Sequence, residues 1–278
     1  MELIPIDHTR KLYIDLLKRS LTNWIYAESE WHPIGREGSF RRKMSQALST
    51  VFRRKVQLFQ QRGFKPSERE NGLDWPPYAH TMVGIKRLDQ LQACVETVIR
   101  ENIAGDLIET GVWRGGTVIF MRALLKAHGV TDRRVWAADS FAGLPPPDHR
   151  YNADAGDQHH TFSELAVSLE EVKQNFQKYG LLDDQVVFLK GWFSDTLHRA
   201  PIERISVARL DGDMYGSTIE ALNALFPKVS DGGFIIIDDY AISGCRKAVH
   251  DFLKLKGIET VLIPIDGSAV YWRKQPLP

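Results

Sequence analysis

Cysteine is scarce in this chain of 278 residues: only Cys94 and Cys245 are present, and neither belongs to a C-x-x-C pair. That excludes a disulfide framework, a thiolate zinc cluster and a dithiol redox centre, and two reduced thiols fit a cytoplasmic protein. Long apolar runs are missing as well. No stretch approaches the ~20 apolar residues of a membrane-spanning helix. Residues Met1 to Arg19 mix charges throughout and lack the apolar core of a signal peptide. Charge of one sign is not in excess either: the formal net charge is +1, which gives no long-range field for gripping nucleic acid or an anionic membrane. The expected partner is a small molecule, with no nucleic acid and no membrane. The one basic patch, Arg41, Arg42, Lys43, Arg53, Arg54 and Lys55, is read as the solvated face of a helix over Arg41–Gln61, because no RNA-binding motif accompanies it.

What is present is alternation. Residues 1–80 are rich in charge and aromatics, with helical spacing over Arg10–Leu21, and end in a turn-rich break at Asn71–Tyr78. From residue 81 onward, helices are expected over Ile85–Ile103, Gly115–His128, Glu164–Tyr179, Thr218–Phe226 and Cys245–Lys256. Between them lie short apolar runs at Asp106–Thr110, Arg134–Ala138, Val186–Leu189, Ile205–Leu210 and Phe234–Ile237, and two final strands flank an Asp266-Gly267 turn within 258–272. Apolar strands alternating with helices predict an α/β fold with a doubly wound, mostly parallel sheet buried on both faces. The expected division is an N-terminal helical or lid segment, 1–80, and a catalytic domain, 81–278. The polar stretch Asn152–Thr161 is a candidate mobile lid, and His159-His160 within it fit a polar lid as well as a catalytic role.

The first strand runs into Glu109-Thr110-Gly111-Val112-Trp113-Arg114-Gly115-Gly116-Thr117. Ligands of open α/β sheets bind beyond the carboxyl ends of the strands, where glycine lets the backbone approach closely. The dinucleotide fingerprint needs glycine where Trp113 stands, and the phosphate loop needs a lysine that Gly115-Gly116-Thr117 does not contain. Glu109 would repel a diphosphate. A cationic ligand without phosphate, S-adenosylmethionine, suits the turn better; a purely structural glycine turn is the alternative. Asp139 ends the second strand, where a carboxylate can accept hydrogen bonds from ribose hydroxyls. Ser140 and Phe141 would continue the ligand wall. Arg114 either meets the donor's carboxylate or is a surface residue at the helix start.

Acidic side chains end two further strands, Asp211 and Asp213 after Leu210, and Asp238 and Asp239 after Ile237. Converging carboxylates repel, and a hard divalent cation relieves the repulsion. With no His or Cys interleaved, Mg²⁺ is favoured over zinc. A solvated set of capping aspartates is the other reading. A cation beside a methyl donor suggests transfer to a hydroxyl, with a vicinal diol as the natural acceptor.

The chain resembles the macrocin O-methyltransferase family from about Tyr78 to Gly244. The resemblance rests on His80–Gly84 (HTMVG), Gly105–Gly116 (GDLIETGVWRGG), Asp139-Ser140-Phe141-x-Gly143-Leu144-Pro145, Gly191-Trp192-Phe193, Leu210–Ser217 (LDGDMYGS) and Gly232-Gly233 through Tyr240. It implies a class I methyltransferase, Rossmann-like, with a seven-stranded sheet. It implies S-adenosylmethionine- and Mg-dependent methylation of a sugar hydroxyl on a glycosylated natural product of antibiotic biosynthesis, by a homo-oligomer. By resemblance, Asp211, Asp238 and Asp239 would hold the metal. Asp213, or Asp211 sharing the role, would be the general base. Glu109, Gly111, Asp139 and Ser140 would hold the methyl donor, Thr81 and Met82 would close over it, and Trp192 would lie near the adenine. A phenolic or catechol acceptor, and a non-catalytic nucleoside-binding scaffold, are the competing readings.

Overall fold

The computed structural model describes residues 6–27, 30–33, 59–61 and 63–276. The expected basic helix falls outside the described residues except for its last three, which form a strand. The chain opens with α1 (Ile6–Leu21), a short antiparallel pair β1 (Trp31–Pro33) and β2 (Phe59–Gln61), and α2 (Pro66–Asn71). It continues with α3 (Ile85–Arg100), β3 (Asp106–Thr110), α4 (Gly116–Ala127), β4 (Val135–Asp139), α5 (Leu169–Lys178) and β5 (Val186–Lys190). The rest is α6 (Phe193–Thr196), β6 (Ile205–Leu210), α7 (Tyr215–Leu225), β7 (Val229–Ile237), α8 (Ser243–Lys256), β8 (Ile263–Pro264) and β9 (Val270–Arg273).

The seven-stranded sheet has the order β5-β4-β3-β6-β7-β9-β8. Its first five strands are parallel and the closing β8–β9 hairpin is antiparallel. Successive residues of a strand face opposite sides, and here both sides are covered. Leu107, Val135, Ala137, Phe234 and Ile236 enter a core with α1, α3, α4 and α5. Ile108, Trp136, Ala138, Ile235 and Ile237 enter a second core with α7 and α8. This double burial is why the strands are mostly apolar on both faces rather than alternating.

Element boundaries differ from the sequence-based expectation where local chemistry intervenes. The helix expected from Glu164 begins at Leu169, because the Ser168 hydroxyl accepts from the Glu171 amide at 3.2 Å and caps it. Residues Ser163–Leu165 form a separate 3₁₀ turn. β7 begins at Val229, before the apolar run, through a bulge that includes Gly232 at φ +81°. The N-terminal segment is docked on the main body. α1 buries Ile14, Leu17 and Leu21 in the first core, and one guanidinium nitrogen of buried Arg69 of α2 donates to both carboxylate oxygens of Glu30, at 2.8 and 3.0 Å.

The sheet order reverses between β3 and β6, which is where ligands bind in doubly wound folds. There the two loops nearly touch: a Cβ on Gly111, at φ +81°, would lie 1.8 Å from the Asp211 carbonyl oxygen. Gly111→Ala is therefore expected to destabilise the protein by at least about 2 kcal/mol. The measurement is the urea midpoint, and an unchanged midpoint would show that the crossing has slack.

Candidate active site

The carboxyl edge of the parallel strands opens into a cavity of about 490 Å³. Gly111 and Trp113 after β3, Asp139 and Ser140 after β4, Gly191 to Ser194 after β5, and Asp211 to Met214 after β6 line it. A roof crosses it, drawn from Gly143 to Tyr151, with Asp154 and Leu165. Three of the non-glycine residues with left-handed backbone lie in these strand-end loops: Trp113 at φ 46°, Phe141 at 55° and Asp213 at 57°. Such conformations persist where the surroundings over-determine them, and they cluster at functional sites.

Glu109 ends β3 fully buried, accepting from the Thr117 hydroxyl and paired with Arg209. Glu109 and Arg209 are register partners on adjacent strands, so their side chains share one face of the sheet. Burial above all pushes the Glu109 carboxyl up to about 7, against the opposing pull of Arg209 and Thr117. Glu109 thus supports the glycine turn from beneath and does not line the cavity. Asp139 does line it. One carboxylate oxygen accepts from the Val112 amide and the other from the Phe141 amide, both at 2.7 Å, which binds the first two strand-end loops together. A carboxylate has about four acceptor positions, so Asp139 retains capacity toward a ligand. Ser140 donates to the Gly143 carbonyl at 2.6 Å. Met82 and half-exposed Trp192 lie on the wall, whereas Thr81 is buried behind it, its hydroxyl accepting from Val83.

At the far side of the glycine turn, oxygens of Asp211, Asp213 and Asp239 lie within 4.8 Å of one another. Asp238 is turned away from this triple. It is buried against Arg209 and accepts from Arg87 of α3 at 2.6 Å. Arg87 also reaches Asp266, in the turn of the β8–β9 hairpin, at 2.6 Å. Arg209 itself donates to Asp211 at 2.9 Å. Two guanidiniums, Arg87 and Arg209, thereby pair with four carboxylates, Glu109, Asp211, Asp238 and Asp266, while Asp213 and Asp239 stand beside Asp211 in the acidic triple. Burial first, then mutual repulsion, raises the pKa of Asp211, places that of Asp213 at about 7, and lifts Asp239 well above the usual carboxylate range. An all-oxygen donor set with surplus negative charge fits a hard divalent cation.

Arg209 and Arg87 organise the carboxylates and were not expected as site residues. The available signal was Arg209 itself, a cation inside the apolar run Ile205–Leu210 that has to find anions once buried. Asp154 was also missed. Arg114 is used structurally, donating to the carbonyls of Pro77 and Ala79 at 2.7 and 2.9 Å. His159 is held by Asp157 at 2.7 Å, in the roof segment.

A family profile described as macrocin-O-methyltransferase (TylF) matches residues 10–274. The chain is 49% identical over 271 residues to 8-demethyl-8-(2,3-dimethoxy-alpha-L-rhamnosyl)-tetracenomycin-C 4'-O-methyltransferase of Streptomyces olivaceus, covering 96% of this chain and 94% of that one. It is 46% identical over 268 residues to mycinamicin III 3''-O-methyltransferase of Micromonospora griseorubida, covering 95% and 96%. The solved structure of the O-methyltransferase NovP superposes with a TM-score of 0.80 at 43% identity, covering 96% of this chain and all 100% of that one.

Two outcomes follow from the electrostatics. Arg209→Met strands several buried carboxylates and is expected to cost about 3–5 kcal/mol of stability. Adding Glu109→Gln should restore part of that loss, so strict additivity in denaturant melts would contradict the pairing. Asp213 binds its proton more tightly folded than unfolded, between its ordinary pKa and about 7. Its contribution to stability therefore falls as pH rises through that window. Asp213→Asn should gain stability relative to the parent protein from about pH 4 to pH 7. A parallel pH dependence of the two melts would refute the assignment.

Proposed function

The chain belongs to the macrocin-O-methyltransferase family, and from that membership we propose that it transfers the methyl group of S-adenosylmethionine to a sugar hydroxyl of a glycosylated natural product, with Mg²⁺ at the acidic cluster. The observation that carries this reading is the meeting, at one cavity, of the Asp139 loop with Asp211 and Asp213, whose carboxylate oxygens lie within 4.8 Å of one from Asp239. The relatives support the acceptor class, since one is named for a rhamnosyl tetracenomycin and another for mycinamicin III.

The donor, when bound, supplies an electrophilic methyl group on sulfur. Asp139 accepts from its ribose hydroxyls, Gly111 allows its close approach, and Ser140 and Trp192 flank the nucleoside. The strap Thr81-Met82 and the roof exclude water. The Gly116 amide ties this strap to the glycine turn by donating to the His80 carbonyl at 2.8 Å. A cation at the cluster would lower the pKa of a sugar hydroxyl and orient it. Asp211 and Asp239 would hold it, with Asp213 completing the triple as it stands. Asp238 becomes a further ligand only if an ion pair to Arg87 or Arg209 opens. Asp213 receives the hydroxyl proton, a role that a carboxyl titrating near neutrality performs well. The remaining contribution is alignment of oxygen, methyl carbon and sulfur.

Residues 1–80 serve in this reading as the segment that shapes access, and 81–278 as the catalytic domain. A cytoplasmic homo-oligomer acting on neither nucleic acid nor membrane fits the near-neutral charge. It also fits the exposed Ile6, Leu12 and Leu16 of α1, and the lack, among described residues, of a helix able to cross a membrane.

The test is turnover of a panel of glycosylated acceptors with and without Mg²⁺. Chelation should abolish methylation. Asp211→Asn should lower kcat by about 10²-fold or more while calorimetry still detects S-adenosylmethionine binding. Full turnover in chelator, no donor binding, or exclusive methylation of catechols would overturn the proposal.

A further inference from the structure

Asp154 sits in the roof, yet only 4% of its surface is exposed. One carboxylate oxygen accepts from the Tyr215 amide at 2.7 Å, and the other from the Gly216 amide at 2.8 Å. These are the first amides of α7, which has no side-chain cap of its own. A second helix start, that of α8, adjoins the same carboxylate. Both helices present glycine to it: a Cβ on Gly216 would lie 3.3 Å, and one on Gly244 3.1 Å, from an Asp154 oxygen. Free amides and helix dipoles favour an anion at such a place, and the chain supplies the anion from its own roof. Tyr151, three residues earlier, packs over Gly216 and against the Tyr215 ring at 5.6 Å.

The amides held by Asp154 begin two residues after Asp213. That residue has left-handed backbone at φ 57°, and its own amide donates to Asp239 at 3.0 Å. The stretch from 213 to 216 is therefore suspended between two carboxylates from other segments, Asp239 on the cluster side and Asp154 on the roof side. A strained backbone keeps its conformation only while such contacts over-determine it. We propose that Asp154 is a positioning residue that makes closure of the roof over the cavity and the setting of Asp213 in the acidic cluster a single event. With the roof shut, α7 is capped and Asp213 is aimed inward. With the roof lifted, α7 loses its cap and Asp213 is free to leave the cluster, so the acidic triple is complete only beneath a closed roof. This rests on the role assigned above to the cluster.

The experiment compares the full-length chain with Asp154→Ala, Asp154→Asn and Ser168→Ala. The last removes the ordinary cap of α5, a helix packed in the first core. Hydrogen exchange followed by mass spectrometry reads peptides covering 148–166 and 211–218, and Mn²⁺ binding by electron paramagnetic resonance probes the cluster. Both Asp154 variants should speed exchange in the two peptides together, by about fivefold or more, as expected for loss of a helix cap. They should also weaken Mn²⁺ binding by a similar factor, with the Asn variant less affected than the Ala variant. Ser168→Ala should lower the melting temperature yet leave both peptides and Mn²⁺ affinity unchanged. Exchange that rises in the roof alone, or an unchanged 211–218 peptide, would overturn the coupling. If the unsubstituted chain binds no Mn²⁺, the cation reading fails, and the exchange of the two peptides still decides the latch.

Discussion

One buried guanidinium sets the terms for the site. Arg209 stands on β6, between β3 and β7, and draws together carboxylates from the ends of all three strands: Glu109, Asp211 and Asp238. Burial alone would favour its uncharged form, but the attraction of Asp238, Glu109 and Asp211 outweighs that cost and holds the charge firmly. Without it, several desolvated anions would face each other in a medium that screens poorly, and burying an unpaired charge is among the most expensive events in a protein interior. Arg87 extends the arrangement from α3 to the closing hairpin. The covering helix, the sheet and the last strand pair are joined through ions rather than through packing alone.

Compensation stops short of neutrality. The inner carboxylates, Glu109 and Asp238, meet arginine, while Asp239 stands beside Asp211 and Asp213, of which the latter two line the cavity. A charge gradient results, from satisfied ion pairs beneath the sheet edge to surplus negative charge at the cavity wall. Such an edge attracts a cation and a sulfonium donor and disfavours phosphate-bearing cofactors. The left-handed residues Trp113, Phe141 and Asp213 mark the same edge. They are tolerated because Asp139, Glu164 and Asp239 accept hydrogen bonds from these loops.

The architecture by itself would not license a methyl-transfer function, since doubly wound sheets host many chemistries. Membership of the macrocin-O-methyltransferase family and the composition of this one edge do so together. The roof adds a feature that the sheet does not require. Asp154 places a carboxylate among helix amides, and Trp113 donates to the Glu164 carbonyl at 2.8 Å, so the cover is tied to the reacting edge at two places.

Much of the fold was legible in the amino-acid order. The runs 106–110 and 205–210 are strands with the expected limits, because a strand buried on both faces is apolar at most positions, and its polar exceptions, such as Glu109 and Arg209, have to pair. The helices were legible from their spacing, with errors at ends such as the start of α5, which Ser168 caps, and a bulge moved the start of β7. The order also determined which side chains terminate which strands, and hence that Asp139, Asp211, Asp213, Asp238 and Asp239 share one edge. It could not say which carboxylates pair and which stay free. Asp238 and Asp239 are neighbours in the chain, yet one is committed to Arg87 and Arg209 while the other faces Asp211 and Asp213. Electrostatic pairing depends on distance through space, and only the strand order that puts β6 between β3 and β7, with α3 laid across it, sets those distances.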